Sequence, residues 1–301
     1  MDLLISTLEQ GLIFSIVALG VYITYRILDF PDLSVDGTFP LGAAVAAVCL
    51  VKNMNPFVAC FLAFTAGCIG GAVTGFLHVK LKITNLLCGI LVMIGLYSIN
   101  LRIMSKSNIP LFGKNTIFTE RAYPLVIIIV FALVIKLLLD VFLKTKLGFI
   151  LIATGDNEQM VTLLGVNKDN IKILGLMLSN GLVALAGGMM AQYQGFSDVN
   201  MGTGTVVMGL AAVILGESIF KRINIVKATT MALFGSIIYK GAVALALRAG
   251  LPPTDLKLIT AVIVVAALSL NKYSFSLKGK KKLVTGGESL AKSGASLQDL
   301  Q

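Results

Sequence analysis

The sequence predicts an all-α polytopic membrane protein of about eight to ten transmembrane helices, at roughly 20 residues per span. Three observations carry that prediction. Hydrophobic residues make up 56% of the 301 and charged residues 13%, about half the charged share of a soluble domain; the mean hydropathy is +0.90. The apolar residues fall in long runs separated by short polar breaks. Two of those runs are too short to cross about 30 Å of hydrocarbon as regular helices, and each follows a similar polar stretch. The composition excludes a soluble enzyme, a disordered chain and a secreted disulfide scaffold.

In chain order, spans are predicted near 3–27, 38–51, 56–76, 84–101, 123–143, 171–193, 205–219, 228–248 and 257–271. The first has no basic leader and no small-residue cleavage site, so it reads as a retained span. The short runs 38–51 and 205–219 must be extended by non-helical backbone. Lys272, Lys278, Lys280, Lys281, Lys282 and Lys292 place the tail in the cytoplasm. Alternating backwards puts sixteen Lys and Arg on the tail's side and seven opposite, with Lys136 and Lys240 inside spans. The N-terminus is then outside, and the loop 102–122 is the exception to the bias. This asymmetry accounts for the net charge of +10, and no nucleic-acid partner is implied. The domain reading is a transmembrane unit over 1–275, with halves of about 1–122 and 123–275, then a flexible basic tail over 276–301.

The halves carry a weak internal repeat. DLSVDGTFPLGAA at 32–44 aligns with DVNMGTGTVVMGLA at 198–211, matching Asp32 with Asp198, Ser34 with Asn200, Gly37 with Gly204, Thr38 with Thr205 and Gly42 with Gly209. The charge assignment starts the first copy inside and the second outside, the pattern of inverted repeats with broken helices. A helix broken at membrane depth frees N–H and C=O groups that Ser, Thr, Asn and Asp can satisfy. Two readings stand. The polar residues cap the short helices, or they cap them and also line a solute path, with Asp32, Ser34, Asp36 and Thr38 on one side and Asn200, Thr203 and Thr205 on the other.

Other polar residues draw local readings. Cys49, Cys60, Cys68 and Cys88 lie in apolar runs without CxxC spacing, so they read as small buried hydrophobes. His78 borders a basic loop with no second histidine in the chain, and no metal site is implied. Glu9 is expected at the outer interface. Asn85, Asn180 and Glu217 are expected to bond neighbouring helices or backbone. Lys240, inside a span, is either a functional group or a snorkelling or paired lysine. HExxH and GxSxG are both absent from the sequence, so no catalytic residue is assigned.

The cytoplasmic segment 144–170 breaks the pattern of tight loops. Its stretch 155–166 mixes Gly155, Asp156, Asn157 and Glu158 with Met160, Leu163 and Leu164. A short amphipathic helix is expected there, capped by Asp156 or Thr154 and ended by Gly165. Its apolar face suits a protein groove or the membrane surface; the acidic polar face favours protein.

At this point the residues resemble a known family. ATGDNEQMVTLLGVN followed by IKILGLMLSNGLVALAGGMMAQYQGFSDVNMGTGTVVMGLAAVILGE is similar to permeases of the branched-chain amino acid ABC importer family, and the resemblance covers about residues 10–272. YRILDFPDLSVDGTFPLGAA and LLCGILVMIGLYSINLRIMSKSNIPL look like a branch often assigned to tryptophan, tyrosine or related substrates. Asp32–Gly37 departs from the Asn-Phe-Ala-His-Gly-like stretch of the leucine-type subgroup. The resemblance implies a type II importer fold and a homodimer in the cytoplasmic membrane of a prokaryote. It also implies two ATPase subunits and an extracytoplasmic substrate-binding protein. The coupling helix, here Gly155–Gly165, would dock on the ATPase. The sequence has no GxxxxGK[ST] loop, so ATP and Mg²⁺ would sit on the partner. The competing reading is an ion-coupled secondary transporter, which also uses inverted repeats.

Overall fold

A computed structural model describes residues 2–119, 124–220, 227–250, 252, 255 and 258–265. The helices are α1 (Asp2–Val21), which continues as a π-helical turn Tyr22–Ile27, then α2 (Val35–Val51), α3 (Pro56–Leu81), α4 (Asn85–Met104) and α5 (Pro124–Leu143). α6 (Lys146–Asp156), α7 (Glu158–Leu163), α8 (Lys168–Gln194), α9 (Thr205–Phe220) and α10 (Ala228–Arg248) follow, and 258–265 is helical. Among the described residues six helices are long and apolar enough to span a membrane, and α2 and α9 are shorter apolar helices. The first eight predicted spans coincide with helices, and the ninth, 257–271, is helical over its described residues 258–265; the rest of it and the tail 276–301 lie outside the described residues.

Local chemistry sets the boundaries. α3 starts where the Asn55 side chain accepts from Phe57 N at 2.9 Å with Pro56 as the first helical residue, and Pro needs no N–H there. α8 starts where Asn167 accepts from Asp169 N and Asn170 N, and it stops at Gly195, whose φ of +76° few other residues adopt.

α8 is the central post. It packs most extensively on α3 and α2 and also on α1. A methyl group at Gly67 would overlap the α8 backbone at Asn180, and one at Gly42 would overlap it at Ala184. Small residues let helices approach this closely where lipid gives no hydrophobic push. The outward faces of α3, α4 and α5 stay apolar: Phe61 is 65% exposed, Ile69 66% and Leu138 65%. Such surface belongs against lipid or another apolar helix.

Two features were not foreseen. Asn108–Pro110 (β1) pairs antiparallel with Phe196–Asp198 (β2), in the register Asn108↔Asp198, tying the two halves at the end of the bundle where α4 and α8 finish. Asp140, inside the apolar α5, accepts from Lys136, Lys227 and Thr229. This pins α5 to the start of α10, because a carboxylate inside a span must find partners.

One expected position is corrected. Glu9 is not at a wet interface: it is 6% exposed and accepts from Tyr193 Oη at 2.8 Å. An acid so far into an apolar helix needs an internal donor, and α8 supplies it.

Candidate functional site

The two repeat copies adopt the same local turn. Asp32 Oδ1 accepts from Ser34 N at 2.8 Å, and Asp198 Oδ1 accepts from Asn200 N at 2.8 Å. Thr205 Oγ1 donates to Gly202 O, three residues back, whereas Thr38 Oγ1 lies 3.3 Å from the matching Val35 O and gives its one proton to Asn180 at 2.8 Å. The aspartates at matched positions therefore make matched bonds.

Their placement is what matters. Thr38 bonds Asn180, which lies midway along α8 (Lys168–Gln194), so α2 begins near the middle of the bundle. The chain from β2 runs back along α2 without helical structure and starts α9 beside Asp36. Gly202 passes against Asp36 O and the Pro40 ring, so close that a side chain would overlap both. Pro40 supplies no N–H to that carbonyl. The two short helices thus meet N-terminus to N-terminus at mid-depth. Asp36 bridges them: its carboxylate accepts from Gly204 N at 2.9 Å and from Val206 N at 2.8 Å. A carboxylate at a helix start satisfies orphan N–H groups and complements the dipole.

The seven predicted pathway residues separate into two sets. Asp32, Ser34 and Thr38 are buried and share one partner. Asn180 Nδ2 donates to Asp32 Oδ2 at 2.8 Å, while Asn180 Oδ1 accepts from Ser34 Oγ at 3.2 Å and Thr38 Oγ1 at 2.8 Å. Thr205 is also buried, in its own turn. None of these four lines the cavity beside α4. Asp36, Asn200 and Thr203 do: they border a cavity of about 370 Å³ together with Gly37, Pro40, Met93, Ile94, Tyr97, Ser98, Asn100 and Val199. Tyr97, Ser98, Asn200 and Thr203 are exposed, so the cavity opens at the surface. The α4 residues were missed. The available signal was Asn100, an amide inside an otherwise apolar run.

The predicted coupling segment divides as well. Gly155 and Asp156 end α6, with Gly155 against Ile27 O. Neither Asp156 nor Thr154 caps the next helix; Thr154 donates to Ile150 O. Asn157 is the cap, accepting from Gln159 N at 3.0 Å and Met160 N at 3.1 Å. An Asx residue in extended conformation directly before the helix is better placed than one still inside the preceding helix. α7 is accordingly Glu158–Leu163, and Gly165 follows its end with φ +76°. Glu158 binds Lys172 at 2.5 Å and Lys168 at 2.9 Å, which anchors α7 to the start of α8. The Lys172 contact, aided by Lys168, holds the Glu158 carboxyl below its ordinary value. Met160, Leu163 and Leu164 are 55%, 88% and 68% exposed.

A family described as branched-chain amino acid transport system / permease component matches residues 3–268. The chain belongs to that family. It is a permease subunit of the ABC transporter type and a multi-pass protein of the cytoplasmic membrane. It is 53% identical over 91% of its length to a tyrosine transport system permease protein of Clostridioides difficile, covering 93% of that protein. An uncharacterized protein of Rickettsia prowazekii is 39% identical, over 89% of this chain and 98% of its own. More distant is the ribose import permease protein RbsC of Escherichia coli, 29% identical over 61% of this chain and 59% of that one. No solved structure matches the chain.

Other intramembrane polar groups of the permease are accounted for by contacts. Glu217 of α9 pairs with Arg26 at 3.0 Å, joining the π-helical turn to the second short helix. Lys240 stands 4.9 Å over the Phe14 ring and borders a cavity of about 270 Å³ with Ser6, Thr7 and Gln10. Among the described residues no cluster could hold a metal ion.

Proposed function

We propose that this permease imports an amino acid, an aromatic one being the first candidate, and is driven by a separate cytoplasmic ATPase. The supporting observation is α7. Met160 and Leu163 project from a six-residue helix, and Leu164 directly after it, on a unit fixed at its start by Asn157 and at its side by Glu158. A soluble loop has no reason to present Leu163 at 88% exposure unless a groove receives it. The substrate class rests on the family description and on the tyrosine transport relative.

In this reading two copies of the chain form a homodimer around the path, two ATPase subunits carry ATP and Mg²⁺, and an extracytoplasmic binding protein delivers the solute. The permease must be shifted between outward and inward states. Moving such an equilibrium from 1:99 to 99:1 takes about 5.5 kcal/mol of differential binding, which nucleotide-dependent docking at α7 would transmit.

The test is ATP-driven uptake of L-tyrosine by proteoliposomes holding the permease, its ATPase and the binding protein. Leu164→Glu should reduce uptake by about 30-fold, the loss of an interface residue worth about 2 kcal/mol, at unchanged permease level. Unchanged uptake and unchanged stimulated ATP hydrolysis would remove α7 from the mechanism. The anchoring of α7 is also predicted to be insensitive to pH near neutrality. Glu158 has a lowered carboxyl pKa, so its stabilising effect is complete above the ordinary carboxylate value and fades only as pH falls toward the lowered one. Amide exchange in 158–163 should be flat across neutral pH once corrected for intrinsic rates, and Glu158→Gln should accelerate it.

A further inference from the structure

Asn100 is the odd group in the cavity wall. It is fully buried, and its Nδ2 donates to Gly37 O at 3.2 Å. A carbonyl can only accept, so the amide nitrogen must face Gly37 and the oxygen must point elsewhere. That oxygen, Oδ1, has no hydrogen-bond partner, and it is the one such buried side-chain atom found among the described residues. Every other buried polar side chain of the repeat region is satisfied: Asp32, Ser34 and Thr38 by Asn180, and Thr205 by Gly202. An orphaned acceptor is costly in a low-dielectric interior, so its retention beside an open cavity calls for a partner that comes and goes.

The rest of the wall describes that partner. Met93, Ile94 and Tyr97 give an apolar and aromatic side; Ser98, Asn200 and Thr203 give a polar rim. The Asp36 carboxylate has one backbone N–H on each oxygen, which leaves lone pairs and the negative charge. A space of about 370 Å³ falls in the range of small-molecule sites, which pair apolar walls with a few convergent polar groups.

We infer that this mid-depth cavity is a solute-selecting site of the permease itself, in which Asn100 Oδ1 accepts a hydrogen bond from the ammonium of an amino acid whose apolar side chain lies along Met93, Ile94 and Tyr97. Asp36 supplies the opposing charge, and the unwound segment 199–203 closes the far side. The inference rests on the importer reading above and adds to it: discrimination is not left wholly to a separate binding protein.

The experiment is equilibrium binding of tritiated L-tyrosine, and in parallel of a mixture of the twenty tritiated amino acids, to the permease–ATPase complex in lipid nanodiscs without the binding protein. Saturable binding is expected. Asn100→Leu, and Tyr97→Ala on the exposed wall, should each weaken it by about tenfold, the usual size of one hydrogen bond or one partial stacking contact. The tyrosine analogue 3-(4-hydroxyphenyl)propanoate, which lacks the ammonium, should not compete. Tyr97→Ala touches no internal hydrogen bond, so it remains informative if Asn100→Leu fails to fold. A complex that binds no amino acid alone, yet imports one when the binding protein is added, overturns the inference and leaves the importer reading intact. So does wild-type binding by both variants. A complete system that imports no amino acid sinks the importer reading, and the inference with it.

Discussion

The two repeat copies share a turn but not an environment. In the first, Asp32, Ser34 and Thr38 are sealed against α8 by the amide of Asn180. In the second, Asp198 makes the same turn bond, yet Asn200 and Thr203 stand exposed at a cavity. The difference comes from what lies alongside. The first copy faces the long central helix, whose Asn180 can both donate and accept; the second lies along α2, where Gly202 runs against the Pro40 ring. Asp32, Ser34 and Thr38 of the first copy therefore serve as a fastening, and Asn200 and Thr203 of the second join Asp36 in a wall. Inverted repeats offer two equivalent starting points, and the packing decides which one is filled.

The comparison can be broken at its strongest bond first. Asn180→Leu leaves the Asp32 carboxylate buried without its side-chain donor, and removing one partner of a buried charge costs about 3–5 kcal/mol. We expect loss of monodisperse protein in detergent, or a large fall in thermal midpoint. A variant as stable as wild type would mean that the first copy is not a fastening. Next comes the bridge. Asp36→Ala strips the start of α9 of its carboxylate, and losing such a cap costs about 0.5–2 kcal/mol. A modest drop in midpoint together with poor transport is expected, and full transport would detach Asp36 from the path. Smallest is the second copy: Thr203→Val changes an exposed residue and should stay within about 0.5 kcal/mol of wild type, with any effect confined to uptake.

Much of the fold was legible because the bilayer imposes it. Backbone groups in hydrocarbon must bond internally, so every long apolar run had to become a helix, and the two short runs had to be completed by broken backbone. Asp36 and Thr38 were readable as helix-start chemistry for the same reason. Which residues meet across the bundle was not readable. Asn180 lies more than 140 positions from the groups it satisfies, and Asn100 stands out in α4 as a polar residue without showing which helix it faces. Pairing at that separation depends on which helix faces which, and a single sequence does not record it. The cap of α7 was misplaced for a smaller reason: Asp156 and Asn157 are both good N-caps, and the choice between them turned on α6 extending as far as Asp156.

The central claim is that the Asp32, Ser34 and Thr38 cluster of the first copy is closed to water, while Asn200 and Thr203 of the second copy open on the path with Asp36. Single cysteines at Ser34 and Thr203, in a protein whose native Cys49, Cys60, Cys68 and Cys88 have been replaced, test it directly with a charged, membrane-impermeant thiol reagent applied during ATP turnover. Thr203→Cys should react readily and be shielded by transported solute, while Ser34→Cys should stay unreacted until the protein is unfolded. Equal labelling of the two positions, or labelling at Ser34 alone, would contradict the account.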